Sequence, residues 1–156
     1  MLPNHIIVRT SWLYGVYGNN FVKTILKLAT EKTALRVVAD QFGSPTSAAD
    51  LAEAILTIAE KIRANEQLGW GTYHYCCEGI TTWHGLAEKI IELAAPYAAL
   101  QARQVEAITT EEWPTPAKRP PYSALNCSRL KSQFEIVPEP WQQSLKRTID
   151  RIYLES

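Results

Sequence analysis

Long apolar runs are missing from this sequence. Lys23, Lys27 and Glu31 break the first helical pattern, and the later helices are broken in the same way. No stretch reaches the roughly 20 apolar residues needed to span a bilayer as a helix, so no membrane partner is expected. An excess of charge is missing too. Sixteen basic residues balance sixteen acidic ones, which removes the electrostatic basis for expecting nucleic acid as a partner. The opening Met-Leu-Pro-Asn-His lacks the basic start, apolar stretch and cleavage site of an export signal, and the cytoplasm is the expected compartment. Cysteine is scarce: Cys76, Cys77 and Cys127 offer neither an even set nor a C-x-x-C spacing. They are expected as small buried apolar residues. The three histidines, His5, His74 and His84, have no metal-ligand spacing, and no metal site is expected.

What is present fits one domain. The chain has 156 residues, 46% of them hydrophobic, enough for a single core. His5 to Arg9 is short and β-branched, the pattern of a buried parallel strand. Phe21, Val22, Ile25, Leu26 and Leu28 recur at helical spacing, predicting a helix that ends near Lys32. Leu35 to Ala39 reads as a strand. Ser47 with Asp50 resembles a capping box, opening a helix with Leu51, Ile55, Ile58 and Ile62 as its buried stripe. A polar linker around Asn65 to Gly69 precedes a strand over Thr72 to Cys76. A helix capped by Thr81 or Thr82 should carry Leu86, Ile90, Ile91 and Leu93 and stop before Pro96. Val105 to Ile108 is a further strand. Four prolines between Pro114 and Pro121 forbid a regular element there. A short helix from Ser128 and a last one from Trp141, with Leu145, Ile149 and Ile152 inward, complete the chain. Alternating strands and helices indicate an α/β fold.

No glycine-rich dinucleotide turn opens the chain. Gly15-Val16-Tyr17-Gly18 lies between a strand and a helix, but Phe21 stands where a third small residue is needed, and no acidic residue closes a second strand. As a loop beyond the carboxyl end of a parallel strand, it nevertheless sits where α/β sheets place ligands. Asn20 has two readings there, an amide donor to a ligand oxygen or the cap of the helix from Phe21.

Four blocks carry a resemblance. They are Arg9-Thr10-Ser11-Trp12-Leu13-Tyr14-Gly15 continuing to Gly18-Asn19-Asn20-Phe21-Val22; Asp40-Gln41-Phe42-Gly43-Ser44-Pro45-Thr46; Thr81-Thr82-Trp83; and Pro114-Thr115-Pro116-Ala117-Lys118-Arg119-Pro120 with Ser123, Leu125 and Asn126. In order and spacing they resemble the latter half of the dTDP-4-dehydrorhamnose reductases, members of the extended short-chain dehydrogenase/reductase superfamily. The resemblance implies the carboxyl-terminal part of an NAD(P)-binding, Rossmann-like fold. Residues 1–64 would supply its late strands and helices, and residues 65–156 mainly a small mixed α/β substrate-binding region.

The family's reaction reduces the C4 keto group of dTDP-4-dehydro-L-rhamnose with NADPH (or NADH), using the tyrosine of a Tyr-x-x-x-Lys motif as acid. No tyrosine here has a lysine four residues later, so this chain is expected to carry residues that bind a dTDP-sugar but no catalytic ones, with no cofactor bound by this chain alone and dTDP bound weakly or not at all. The resemblance implies that Trp12 lies beside the deoxysugar and that Arg119 offers a planar fork to the diphosphate. It also gives Asn20 a substrate contact and sets Thr10 and Ser11 facing the nicotinamide. Gln41 and Thr46 flank a tight turn, shaping it or touching substrate. Some relatives bind Mg²⁺ through glutamates at a dimer interface, and Ala49 occupies one such position here. A homodimer could still form if Ile6, Ile7 and Val8 present an apolar edge. The alternatives are an interaction module like the regulatory subunit of methionine adenosyltransferase, or a nucleotide-sugar epimerase or dehydratase. Thr10-Ser11-Trp12 departs from the Asn-containing motif common in the latter two enzymes.

Overall fold

The computed structural model describes residues 3–64, 69–117 and 119–154. Most of the expected linker and Lys118 lie outside them. Strand β1 (Ile6–Arg9) leads into the two-residue β2 (Leu13–Tyr14), helix α1 (Phe21–Glu31) and β3 (Ala34–Val38). The chain continues through β4 (Phe42–Gly43), β5 (Thr46–Ser47), α2 (Ala48–Arg63), β6 (Gly71–His74), β7 (Thr81–Thr82) and α3 (Trp83–Ala94). It ends with β8 (Gln104–Ile108), α4 (Ser128–Phe134) and α5 (Trp141–Leu154). The strands and helices alternate as the sequence predicts, and their bounds fall within a few residues of the expected ones.

Two cores organise these elements. In the larger, β3 and β8 run parallel with Leu35 opposite Val105 and Val37 opposite Ala107. The period of two in β3 turns Leu35 and Val37 inward and Arg36 outward. Helices α1 and α3 cover this pair, and α5 packs on α3. Val22, Ile25, Leu26 and Ala29 of α1 meet Leu86, Ala87, Ile90 and Ala94 of α3 and Leu145 and Ile149 of α5. Each fully buried Leu or Ile contributes roughly 1.5–3 kcal/mol. Leu145 and Ile149 are fully enclosed, so Leu145→Ala would leave a cavity costing about 2–5 kcal/mol.

The second core lies under α2. Strand β1 pairs in parallel with β6, Ile6 opposite Gly71 and Arg9 opposite His74. Ala54 and Ile58 of α2 pack with Tyr73, Tyr75, Leu130 and Phe134, with Ile6 and Val8 beside them. Ser47 caps α2 by accepting the Asp50 N–H at 3.4 Å. Asp50 in the first turn and Lys61 and Arg63 in the last complement the helix dipole. Neither core is confined to one side of residue 64.

Two apolar expectations need correction. Ile55 and Ile62 are not on the buried stripe of α2; they are 47% and 36% exposed, with Leu56 at 63%. The helix turns instead so that the small Ala54 meets its neighbours closely, and tertiary contact decides the rotation over side-chain size. Ile7, expected inside a buried strand, is 48% exposed, because it points to the face opposite Ile6 and Val8, which pack in the second core. No helix is long and apolar enough to cross a membrane among the described residues.

Candidate functional site

Two short pairings that sequence periodicity does not reveal draw the loops together. Strand β2 runs parallel to β5, Leu13 opposite Thr46, and β4 runs antiparallel to β7, Phe42 opposite Thr82. The first holds the loop after β1. The second brings the start of α3 beside it.

Trp12 sits between them in the left-handed region, φ 47°, a conformation that costs a non-glycine residue about 1–2 kcal/mol. Its surroundings hold it there. Its carbonyl accepts the Thr46 N–H at 3.1 Å, and its indole N–H donates to Ser123 Oγ at 3.0 Å. The ring stacks on Trp83 with centroids 3.6 Å apart and planes 9° from parallel. Gly43 lies against the indole, where any Cβ would run into it. Trp83 is the first residue of α3, after Thr82, whose Oγ1 accepts the Gly85 N–H at 3.0 Å as the cap.

A chain of hydrogen bonds fixes Trp83 in turn. Its indole N–H donates to Gln41 Oε1 at 3.2 Å, and Gln41 Nε2 donates to Thr110 Oγ1 at 3.0 Å. Thr110 donates its hydroxyl to Asp40 Oδ1 at 2.6 Å and its N–H to Oδ2 at 2.9 Å. These two bonds from Thr110 hold the Asp40 carboxyl below its ordinary value.

The proline-rich strap closes the site. Phe42 donates its N–H to Pro121 O and accepts from Ser123 N, both at 2.8 Å. Arg119, just before the pinned residues, places its guanidinium carbon 5.9 Å from the Trp83 ring centroid, at the outer reach of a cation–π contact.

Two adjoining pockets result. One, of about 240 Å³, is walled by Ser11, Trp12, Gln41, Trp83, Arg119 and Ser123. The other, of about 460 Å³, has Phe21, Leu28, Val38, Trp113 and Thr115 on its walls. Gln41, Trp83 and Arg119 border both. An apolar, aromatic cleft with a few fixed polar groups is suited to a small organic ligand, and a cation at the junction suits an anionic centre in it.

The structure thus brings together Ser11, Trp12, Gln41 and Arg119 among the residues singled out from the sequence. Asn20 lies elsewhere, on a cavity of about 580 Å³ with Tyr14, Asp50 and Arg147. Its Oδ1 caps α1 by accepting the Lys23 N–H at 3.2 Å, and its Nδ2 donates to Gly15 O at 2.8 Å. Thr46 is fully buried and shapes the turn against Trp12. The hydroxyls of Thr10 and Thr46 are buried without a hydrogen-bond partner, whereas Ser11 Oγ donates to Ser44 O at 3.1 Å. Trp83, Phe21, Trp113 and Ser123 were not foreseen as site residues. Phe21, Trp83 and Ser123 lie within the four blocks of resemblance, which was the available signal, whereas Trp113 lies in none of them. The described residues hold no cluster of three or more His, Cys, Asp or Glu side chains placed for a metal.

The architecture is mixed α/β and Rossmann-like, the class to which solved dTDP-4-dehydrorhamnose reductases of similar fold belong. Within that class, the family model described as RmlD substrate binding domain matches residues 1–154, and the chain belongs to that family. A dTDP-4-dehydrorhamnose reductase from Aggregatibacter actinomycetemcomitans is 44% identical over 98% of this chain and 52% of its own length. The crystal structure of a dTDP-4-dehydrorhamnose reductase from Clostridium acetobutylicum is 40% identical with a TM-score of 0.84, over 97% of this chain and 49% of that one. One from Bacillus anthracis, solved in complex with NADP, is 38% identical with a TM-score of 0.76, over 97% and 48%. The chain spans about half the length of the curated relatives it matches.

Proposed function

We propose that this chain is the substrate-binding half of a dTDP-4-dehydrorhamnose reductase, the enzyme that reduces the C4 keto group of dTDP-4-dehydro-L-rhamnose with NADPH (or NADH). The observation that carries this reading is the two-part cleft divided by Trp83 and Arg119. A sugar nucleotide has the matching parts. The deoxysugar lies against Trp12 in the smaller pocket, its methyl group toward the indole, with Ser123 and Gln41 at the polar edge. The diphosphate meets Arg119, where each charge-assisted hydrogen bond contributes roughly 1.5–3 kcal/mol. The thymine ring enters the larger pocket between Phe21 and Trp113. Asn20 and Thr46 act through the loop they fix, and any contact of theirs with substrate is secondary.

Reduction needs a positioned hydride donor and an acid at the forming alkoxide. The residues of this chain do not fit a whole nicotinamide dinucleotide. The first helix after a glycine-containing loop has its N-terminus closed by Asn20, and Phe21 stands where close packing of that helix on the strand needs a small residue. Thr10 and Ser11, at the carboxyl end of β1, are the residues that would face the nicotinamide, and we assign them nothing beyond that. The chain alone therefore binds substrate without turnover. Its place of action is the cytoplasm, where nicotinamide and nucleotide-sugar pools lie. Exposed Ile7, on the unpaired edge of β1, supports self-association of the isolated chain, and a scattering mass independent of concentration would count against that.

Calorimetric titration of dTDP into the purified chain tests the binding role. Weak binding is expected, reduced about tenfold by Arg119→Ala. Absence of binding at millimolar dTDP sinks the assignment. Steady oxidation of NADPH by the chain with the ketosugar supplied would sink the division of labour instead.

A further inference from the structure

The three cysteines look unrelated in sequence, yet the fold pairs two of them. The backbone of β6 runs on past its end, Tyr75 N–H donating to Arg9 O at 2.9 Å, and delivers Cys76 to the strap just before α4. There Cys76 N–H donates to Cys127 Sγ at 3.3 Å, and the two sulfurs lie 3.5 Å apart. The Leu125 carbonyl is 3.6 Å from one sulfur and 3.7 Å from the other. Cys77 faces the opposite way into the larger core, its Sγ 3.6 Å from Ser144 Oγ and 3.7 Å from Asp50 Oδ2. Adjacent residues on an extended backbone point to opposite sides, which is why the neighbour in sequence is not the neighbour in space.

The pair is reachable and reactive. Both sulfurs border a surface pocket of about 510 Å³ together with Ser44, Tyr122, Asn126 and Lys131. Cys76 is almost fully buried and Cys127 partly exposed. The hydrogen bond from the Cys127 thiol, opposed by burial and aided by Leu125 and Ser44, lowers the Cys76 thiol from its ordinary value. Donating that bond, with burial and the adjacent charge, pushes Cys127 up. The pair thus gives up its first proton more readily than its second, and the thiolate form of one sulfur is held by the thiol of the other.

We propose that Cys76 and Cys127 are a peroxide-oxidisable dithiol that closes to an intramolecular disulfide, tying the end of β6 to the strap that carries Arg119 and Ser123. The Cys76 thiolate attacks one oxygen of a hydroperoxide. The S–O bond forms, the O–O bond breaks, and the departing alkoxide takes a proton and leaves as the alcohol. Cys127 sulfur then attacks the Cys76 sulfenic acid. The S–S bond forms, the S–O bond breaks, and hydroxide leaves with the Cys127 proton as water. Two thiols and one hydroperoxide give one disulfide, one alcohol and one water, two electrons passing from sulfur to the peroxide. A disulfide in an otherwise reducing compartment is typically transient and redox-sensing, and an accessible one is readily reversed by added thiol. Closure draws Cys127 toward Cys76 and with it the segment back to Ser123, whose hydroxyl receives the Trp12 indole N–H.

Treating the reduced chain with hydrogen peroxide tests the proposal. Two of the three thiols should disappear and the intact mass should fall by two hydrogens, both restored by dithiothreitol. Proteolysis should yield one peptide linked between the Cys76 and Cys127 segments. Because Cys77 shares the Cys76 peptide, fragmentation of that product and the Cys77→Ala variant independently establish which sulfur is bonded. In Cys127→Ser, oxidation should stop at a sulfenic acid on Cys76 that dimedone traps. Three surviving thiols, a link through Cys77, a link between chains, or sulfinic acid without a disulfide would each overturn the proposal.

Discussion

Two cavities flank the loop that leaves β1, and they differ in how their polar groups are used. Around Asn20, polar side chains bind one another. Asp50 accepts from Ser144 Oγ and from Arg147 Nη2 at 2.9 Å, and Arg147 also pairs with Glu139. The Tyr14 hydroxyl is buried there without a partner, and burial, then the neighbouring Cys77 and Asp50, push its pKa up. Around Trp12, the polar groups hold up aromatic faces: Ser123 and Gln41 anchor two indoles, and Arg119 lies over one of them. The first arrangement joins α2 to α5. The second leaves flat apolar surface and a cation toward the cleft. An asparagine and an arginine near one loop look alike in sequence. Whether their hydrogen bonds close inward decides whether they hold the fold or face a ligand.

That contrast can be broken by substitution. The largest effect is expected from Asp50→Ala, which removes the carboxylate that Ser144 donates to and one of the two that Arg147 pairs with. A loss of about 2–3 kcal/mol is expected, read as a melting temperature roughly 5–10 °C lower, with dTDP affinity retained. If affinity falls in step with stability, the two regions are not separable. Next is Gly43→Ala, where the added methyl meets the Trp12 ring. Overpacking of this kind costs about 1–3 kcal/mol, and the near-ultraviolet circular dichroism of the stacked indoles should collapse. An unchanged spectrum would show that the stack is not held from below.

Asn20→Ala sharpens the comparison. Loss of a cap costs about 1 kcal/mol, and Asn20→Asp should recover most of it; a larger fall in dTDP affinity than in stability would give Asn20 a direct contact after all. The smallest effect is electrostatic. The Asp40 carboxyl is depressed in the folded state, so its contribution is complete above the ordinary carboxylate value near 4 and is lost as pH falls through the lower folded value. Thermal unfolding followed between about pH 2 and 5 should show that loss diminished in Thr110→Val, which removes the hydroxyl donor while keeping the backbone one.

The elements with a long apolar period were legible. In α5, Leu145 and Ile149 recur at the helical spacing and are buried as expected, with Ile152 partly buried against the same core. In α2 Ile58 is buried and Leu51 packs beside it as expected, but the stripe passes through Ala54 and leaves Ile55 and Ile62 outside. Pairs such as β2 with β5 have two residues each, too few to show any alternation. The site suffered the same limit at longer range. Trp12 was visible as a loop aromatic, but its stacking on Trp83 joins residues far apart in the chain, and no local pattern encodes such a meeting. The cysteine pair was hidden for the same reason.

Phe42 engages the strap through both its N–H and its carbonyl, on Pro121 and Ser123. A clasp on one residue separates reach from register. Between Trp113 and Arg119, Thr115 donates to Ala117 O within the arm itself, so residues added there would lengthen the arm without shifting Ser123 beneath the indole. The fold can retune how far a cation extends over the cleft while the aromatic floor stays where it is.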